Sequence, residues 1–364
     1  MSDAQLEAAI LNWEPRVVAN GVDVNDYRRV AGSISTWEEW LPAWEEHGDQ
    51  LAREAAAAEL QDRYETAGEL WRRAASSYHF GKFVWILDLE LHGRVAQKAV
   101  EALKHALRLL DPSARRLEIP FEGANLVGIY RRPGAGSSPM PLVVIIPGLD
   151  STKEEFFETE EIFHKRGLAT LTLEGPGQGE TGFSLPLRHD YEVPFAAAID
   201  FIQELDGAAI GAIGVIGVSL GGYYAARVAA FERRVRAAVG VSGPYNFGEF
   251  WDQRPQMTRA TFQHHSGAVD EQDAKRRATE LNLSGVAETI EQPLLIITGD
   301  CDRLIPWQDT KRIADEAQNA TWKLYEGGNH VVNNMPYRYK TLAADWLREQ
   351  LCGLTDPKAG VPAP

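Results

Sequence analysis

One hexapeptide narrows the fold more than anything else in the chain. Gly217-Val218-Ser219-Leu220-Gly221-Gly222 follows the apolar run Ile213 to Ile216 and precedes Tyr223-Tyr224-Ala225-Ala226, which reads as helix. This is the strand, tight turn and helix context that a G-x-S-x-G motif requires. A Cβ at either flanking position would collide with the neighbouring strand or helix, so glycines stand there while the serine hydroxyl is pushed into the open. Ser219 is therefore the candidate nucleophile, and an ordinary Gly/Ser loop is the bland alternative.

A serine hydroxyl needs a base, and the base needs an orienting acid. After the apolar run Leu294 to Ile297 comes Gly299-Asp300-Cys301-Asp302-Arg303-Leu304, an acidic turn at the carboxyl end of a predicted strand. Asp302 has the better G-x-x-D spacing, and Asp300 is expected to cap the turn. Among nine histidines, His330 alone sits in a glycine-containing loop, Glu326-Gly327-Gly328-Asn329-His330, between the last predicted strand and the last helix. It is the candidate base. His47, His92, His105 and His164 are read as structural, whereas His264 and His265 carry two readings, structural or pocket-lining.

Developing negative charge on a substrate oxygen must be met by preorganised donors. Leu220 N–H, next to the nucleophile, is one candidate, and Leu149 N–H in Pro147-Gly148-Leu149-Asp150-Ser151 is the second. Glu174-Gly175-Pro176-Gly177-Gln178-Gly179-Glu180 lacks the Lys-Ser/Thr of a phosphate-binding loop, so it reads as a structural turn beside the site. No HExxH is present, and neither a metal nor a cofactor is expected.

Around these motifs the pattern changes along the chain. Up to about Leu110 it is helical: Ala67, Leu70, Trp71, Ala74, Ala75 and Tyr78 share one helix face, and Val95, Ala99, Leu103 and Leu110 form another stripe. Trp13, Trp37, Trp40 and Trp44 are read first as packing between helices and second as a pocket wall. A hairpin, 117–121 with 126–131, opens a second region. Strands near 141–147, 168–174, 212–218, 235–242, 293–298 and 321–326 then alternate with helices over 153–166, 191–206, 220–231, 307–318 and 336–350. Such alternation predicts an α/β fold, a mostly parallel sheet with helices on both faces. The expected division is a helical cap over 1–112, a sheet domain over 113–354 with an inserted lid segment at about 244–291, a surface loop from Pro133 to Pro139, and a flexible tail over 355–364.

At 364 residues the chain exceeds a single core, which supports two units. A net charge of -15, with no basic cluster, opposes nucleic acid as a partner. Two cysteines, Cys301 and Cys352, make no disulfide framework and fit a reducing cytoplasm. The opening residues carry no secretory pattern, and the apolar runs are far short of a membrane span, so no membrane partner is expected.

The triad motifs are those of the α/β-hydrolases. Over nearly the whole length the chain also resembles the carbon–carbon bond hydrolases typified by 2,6-dihydroxypseudooxynicotine hydrolase. The resemblance is carried by Asn12-Trp13-Glu14-Pro15-Arg16-Val17, Gly21-Val22-Asp23-Val24-Asn25-Asp26-Tyr27, Trp37-Glu38-Glu39-Trp40-Leu41-Pro42, Ser151-Thr152-Lys153-Glu154-Glu155 and Gly175-Pro176-Gly177-Gln178-Gly179-Glu180. Fungal hydrolases that shorten aromatic polyketide chains are similar in layout. The resemblance implies cleavage of a carbon–carbon bond beside a ketone, an aromatic-ketone substrate held between cap and sheet domain, and a homodimer. Glu174 stands where those relatives have Asp. The resemblance assigns no pocket residues. A carboxylesterase, thioesterase or lactonase is the competing enzyme reading, and a noncatalytic binding module is the reading from another class.

Overall fold

Five helices build the N-terminal part of the computed structural model, which describes residues 3–134 and 139–353. They are α1 (Asp3–Ala19), α2 (Val24–Ala31), α3 (Trp40–Glu59), α4 (Tyr64–Lys82) and α5 (Leu89–Leu110). Asp23 opens α2, its carboxylate accepting Asn25 N–H, and Asp88 opens α5, its carboxylate accepting Glu90 and Leu91 N–H. The spine of this layer is α3 against α4 against α5. Gly81 lets two of them approach, since a Cβ there would lie 2.8 Å from Trp44 Cβ. Ala67, Ala74, Ala75 and Tyr78 are buried on the expected face of α4, as are Val95, Ala99 and Leu103 on α5.

The early tryptophans form one contiguous stack. Trp13 and Trp40 have ring centroids 5.3 Å apart, Trp37 and Trp40 5.5 Å, and Trp40 and Trp44 5.8 Å. Trp40 Nε1 donates to Phe80 O at 2.9 Å, so its polar edge is satisfied inside the layer. None of the four lines the cavity described below; they pack the helices.

From Arg115 onward an eight-stranded sheet runs in the order β1-β2-β4-β3-β5-β6-β7-β8. Its strands are β1 (Arg115–Phe121), β2 (Ala124–Arg131), β3 (Met140–Ile146), β4 (Ala169–Glu174), β5 (Ile210–Val218), β6 (Val235–Val241), β7 (Leu294–Gly299) and β8 (Ala320–Tyr325). The six strands from β4 to β8 in that order are parallel, whereas β1–β2 and β2–β4 pair antiparallel. The sheet is thus mostly parallel, as expected, with an antiparallel edge where the hairpin adds directly to it. Along β3 the faces alternate: Leu142, Val144 and Ile146 join one core, and Val143 and Ile145 the other. The first core receives α7 (Glu192–Asp206) and α8 (Leu220–Phe231), and the second receives α6 (Phe157–His164) and α12 (Pro336–Cys352).

Two stretches differ from the sequence expectation. The helix expected over 153–166 is a single 3₁₀ turn, Lys153–Glu155, followed by the shorter α6. Glu155 is spent as a buried hub instead, gripped by Arg16 Nε and Nη2, each at 2.8 Å. The inserted segment at 244–291, given no regular structure from its sequence, holds α9 (Gln256–Ser266) and α10 (Glu271–Glu280). Their polar composition hides the helical period, since only Thr261, Phe262 and Ser266 of α9 are buried. The remaining helix is α11 (Trp307–Glu316). Ala135 to Ser138 of the expected surface loop, and the expected tail over 355–364, lie outside the described residues.

Candidate active site

The candidate side chains sit where the parallel strands end. Ser219 follows β5, the Asp302 turn follows β7, His330 follows β8 and Leu149 follows β3. In open α/β sheets ligands gather beyond the carboxyl ends of strands in this way.

Ser219 occupies the turn between β5 and α8 at φ 55° and ψ -124°, a conformation that L-residues rarely adopt. The surrounding glycines explain how the turn is tolerated. A Cβ on Gly217 would lie 1.8 Å from Gly221 O, and one on Gly221 would lie 2.2 Å from Ile146 O. Backbone fills the space on both sides, so the serine is fixed at the apex.

Two hydrogen bonds join three side chains that are far apart in sequence. His330 Nε2 lies 2.9 Å from Ser219 Oγ, and His330 Nδ1 lies 2.8 Å from Asp302 Oδ2. A carboxylate only accepts, so the neutral imidazole carries its hydrogen on Nδ1 and leaves Nε2 to accept the serine hydroxyl. The other oxygen of Asp302 accepts from Leu304 N and Ile305 N, each at 2.9 Å. Burial pushes the Asp302 carboxyl up, but the His330 charge and hydrogen bond and these two N–H groups outweigh it and hold the group below its ordinary range. Asp300 instead accepts Gly327 N at 2.7 Å, tying the acidic turn to the loop that carries His330. Beyond the histidine, Val331 and Val332 stand at φ 59° and 54°, strained for β-branched residues. Val331 N donates to Ser242 Oγ at 3.1 Å, anchoring that strained turn to the strand end after β6.

The loop after β3 passes directly beneath the serine: a Cβ on Gly148 would lie 3.2 Å from Ser219 Cβ. Leu220 N–H opens α8, where no residue one turn earlier lies in the helix to accept it. Leu149 lines the same cavity as Ser219 and His330. Sequence reasoning gave no role to the residue that holds this loop. Gln178 Nε2 donates to Pro147 O at 2.6 Å and to Gly148 O at 3.1 Å, while its Oε1 accepts Gly175 N at 2.9 Å. The glycine-rich turn is therefore a brace for the β3 loop. Its glutamate, Glu174, is wholly buried against Lys153 N at 2.9 Å.

The cavity lies between the helical layer, the strand ends and the insertion. Arg16 and Lys340 contribute to it, as do Phe247, Arg254 and Thr258 of the insertion. Lys340 Nζ donates to Asn20 Oδ1 at 2.9 Å and to Ala19 O, and burial pushes the amine down to about 8. His264 and His265, on α9, do not line this cavity. His265 reaches it indirectly through Asp150. His92 is buried and its Nδ1 donates to Trp85 O at 2.7 Å, a packing role.

A mixed eight-stranded sheet, a serine on a left-handed turn after β5, and a histidine and aspartate from later loops define an α/β-hydrolase. More narrowly, the chain belongs to the esterase FrsA-like family, whose model matches residues 25–352. It is 30% identical over 354 residues to 2,6-dihydropseudooxynicotine hydrolase of Paenarthrobacter nicotinovorans, covering 96% of this chain and 94% of the relative. The crystal structure of 2,6-dihydroxy-pseudo-oxynicotine hydrolase superposes with a TM-score of 0.85 at 29% identity, covering 94% of this chain and 96% of that one. The alpha/beta hydrolase pydG of an Acremonium species is 28% identical over 304 residues, 76% of this chain and 70% of its own. No helix among the described residues is long and apolar enough to cross a membrane.

Proposed function

We propose that this chain is a serine hydrolase that cleaves a carbon–carbon bond next to a ketone, with Ser219 as nucleophile, His330 as base and Asp302 as orienting acid. The observation that carries the reading is the unbroken relay from Asp302 Oδ2 through His330 to Ser219 Oγ, at 2.8 and 2.9 Å. The bond type is supported by the likeness, over almost the full chain, to the pseudooxynicotine hydrolase.

In this reading Ser219 Oγ attacks the carbonyl carbon as its proton passes to His330 Nε2, and the carbonyl electron pair moves onto oxygen. Leu220 N–H and Leu149 N–H receive that oxyanion. When the oxyanion collapses, the bond to the neighbouring carbon breaks and its electron pair leaves with that carbon, which takes the proton from His330. An acyl ester remains on Ser219, and a water deprotonated by His330 releases it as a carboxylic acid. Carbon leaves with difficulty, so the leaving fragment must spread its charge, as an enolate or a hydroxylated aromatic does. An aromatic ketone is accordingly the proposed substrate class, and we infer a homodimer working in the cytoplasm.

The test is a panel of acyl-phenols and 1,3-diketones beside nitrophenyl esters, with products identified by mass. Ketone cleavage by wild type and none by Ser219→Ala is expected. The family description as an esterase favours a second reading, a carboxylesterase, thioesterase or lactonase. Fast ester turnover with every ketone left intact would establish that reading instead.

A further inference from the structure

Among the described residues, Arg254 is an ion without a counter-ion. It is 5% exposed, in the insertion, and belongs to the wall of the cavity that holds Ser219. Its Nε and Nη2 donate to Phe247 O at 3.2 and 3.0 Å, and its Nη1 donates to Leu304 O at 3.0 Å. The guanidinium carbon lies 3.9 Å from the Phe247 ring centroid. A guanidinium has five N–H groups, so one remains on each terminal nitrogen. Among the described residues no carboxylate oxygen comes within 4.0 Å of it. The nearest acidic influences, Asp309 and Asp302, act only at longer range, and burial pushes the group down to about 10, still a cation at neutral pH.

Two other arginines are arranged differently. Arg131, equally buried, is surrounded by Asp111, Glu160 and Glu161 at 2.6 to 2.9 Å. Arg16, which also lines the cavity, is paired with Glu155. The chain has 52 acidic residues against 37 basic ones, so a partner for Arg254 was not in short supply. A buried charge with no partner is costly, and it is retained where the opposite charge arrives with a ligand.

We propose that the substrate carries a carboxylate and that Arg254 is the specificity-determining residue that holds it. The two remaining N–H groups, one on each terminal nitrogen, suit the two oxygens of a carboxylate. Lys340, buried in the same lining with Asn20 Oδ1 and Ala19 O as its acceptors among the described residues, adds to the positive lining. The proposal rests on the serine-hydrolase reading for the location of the substrate. Arg254 also braces Leu304, next to the N–H groups that hold Asp302, so its test must separate charge recognition from support of the triad.

Binding is measured by calorimetry to Ser219→Ala protein, with 4-oxo-4-phenylbutanoate and its primary amide as probes. With Arg254 in place, the carboxylate is expected to bind about tenfold more tightly or better. In the Ser219→Ala, Arg254→Gln protein that preference falls to within about twofold, while amide affinity changes little. Arg254→Lys, which keeps the charge but not the fork, retains part of the preference and serves if the glutamine variant melts early. Equal affinity of the two probes with Arg254 intact, a preference that survives both substitutions, or equal weakening of both probes would overturn the proposal. Fluorophosphonate labelling of wild type reports the serine reading separately: loss of labelling with the preference intact would sink that reading alone.

Discussion

His265 Nε2, on helix α9, lies 3.2 Å from Asp150 Oδ1, the residue that follows Leu149 in the loop beneath the serine. The same carboxylate accepts Val84 N and lies 3.6 Å from Lys82 Nζ, at the end of α4. One buried side chain therefore ties the β3 loop to the helical layer and to the insertion.

Asp150→Asn leaves Lys82 without its ion partner, and breaking a buried pair costs about 3 to 5 kcal/mol. Urea unfolding at neutral pH should register that loss, together with a lower kcat from a loosened loop. Burial pushes the Asp150 carboxyl up, but Lys82 and His265 outweigh it and hold the group far below its ordinary range. A carboxyl depressed in the folded state contributes stability above its unfolded value of about 3.9, and that contribution drains as pH falls toward the folded value. The gap between wild type and Asp150→Asn should hence narrow below about pH 4. A gap constant with pH would count against the ion pairing.

Gly221→Ala tests whether the serine turn is sterically closed. The added Cβ would meet Ile146 O at 2.2 Å and Pro147 O at 2.6 Å, both backbone atoms. A loss of at least about 3 kcal/mol, or no folded protein, is expected. The control is Gly123→Ala in the β1–β2 turn, where φ is +80° and nothing lies within 4 Å. There the cost should be about 1 kcal/mol, from backbone conformation alone.

Gln178→Leu removes the brace on Pro147 O and Gly148 O while filling similar space. If the β3 loop supplies an oxyanion donor, kcat should fall by about 10- to 100-fold with KM little changed. Steady-state kinetics on whichever substrate the panel yields will decide; an unchanged kcat would remove the loop from the mechanism.

The candidate triad was legible because each member stands in a turn whose local chemistry announces it. A serine between glycines, an aspartate after an apolar strand and a histidine in a Gly-Gly-Asn loop need no knowledge of tertiary contacts. Gln178, Asp150 and Arg254 were not legible as functional residues, although each lies in a stretch that sequence reading had singled out. Their roles depend on partners 31 to 115 positions away: Gln178 on Pro147, Asp150 on Val84 and His265, Arg254 on Leu304. The helices of the insertion were missed for a related reason. In α9, Thr261 and Ser266 are buried beside Phe262, so the buried face carries little apolar signal. The antiparallel edge was hidden because a hairpin pattern does not say which strand it will pair with.

The most direct test of the relay is intact-protein mass spectrometry after exposure to a fluorophosphonate, followed by mapping of the modified peptide. One adduct on Ser219 is expected in wild type, none in Ser219→Ala, and labelling slower by about 100-fold or more in His330→Ala. An adduct on another residue, or labelling of Ser219 at the wild-type rate without the His330 imidazole, would contradict the assignment of nucleophile and base.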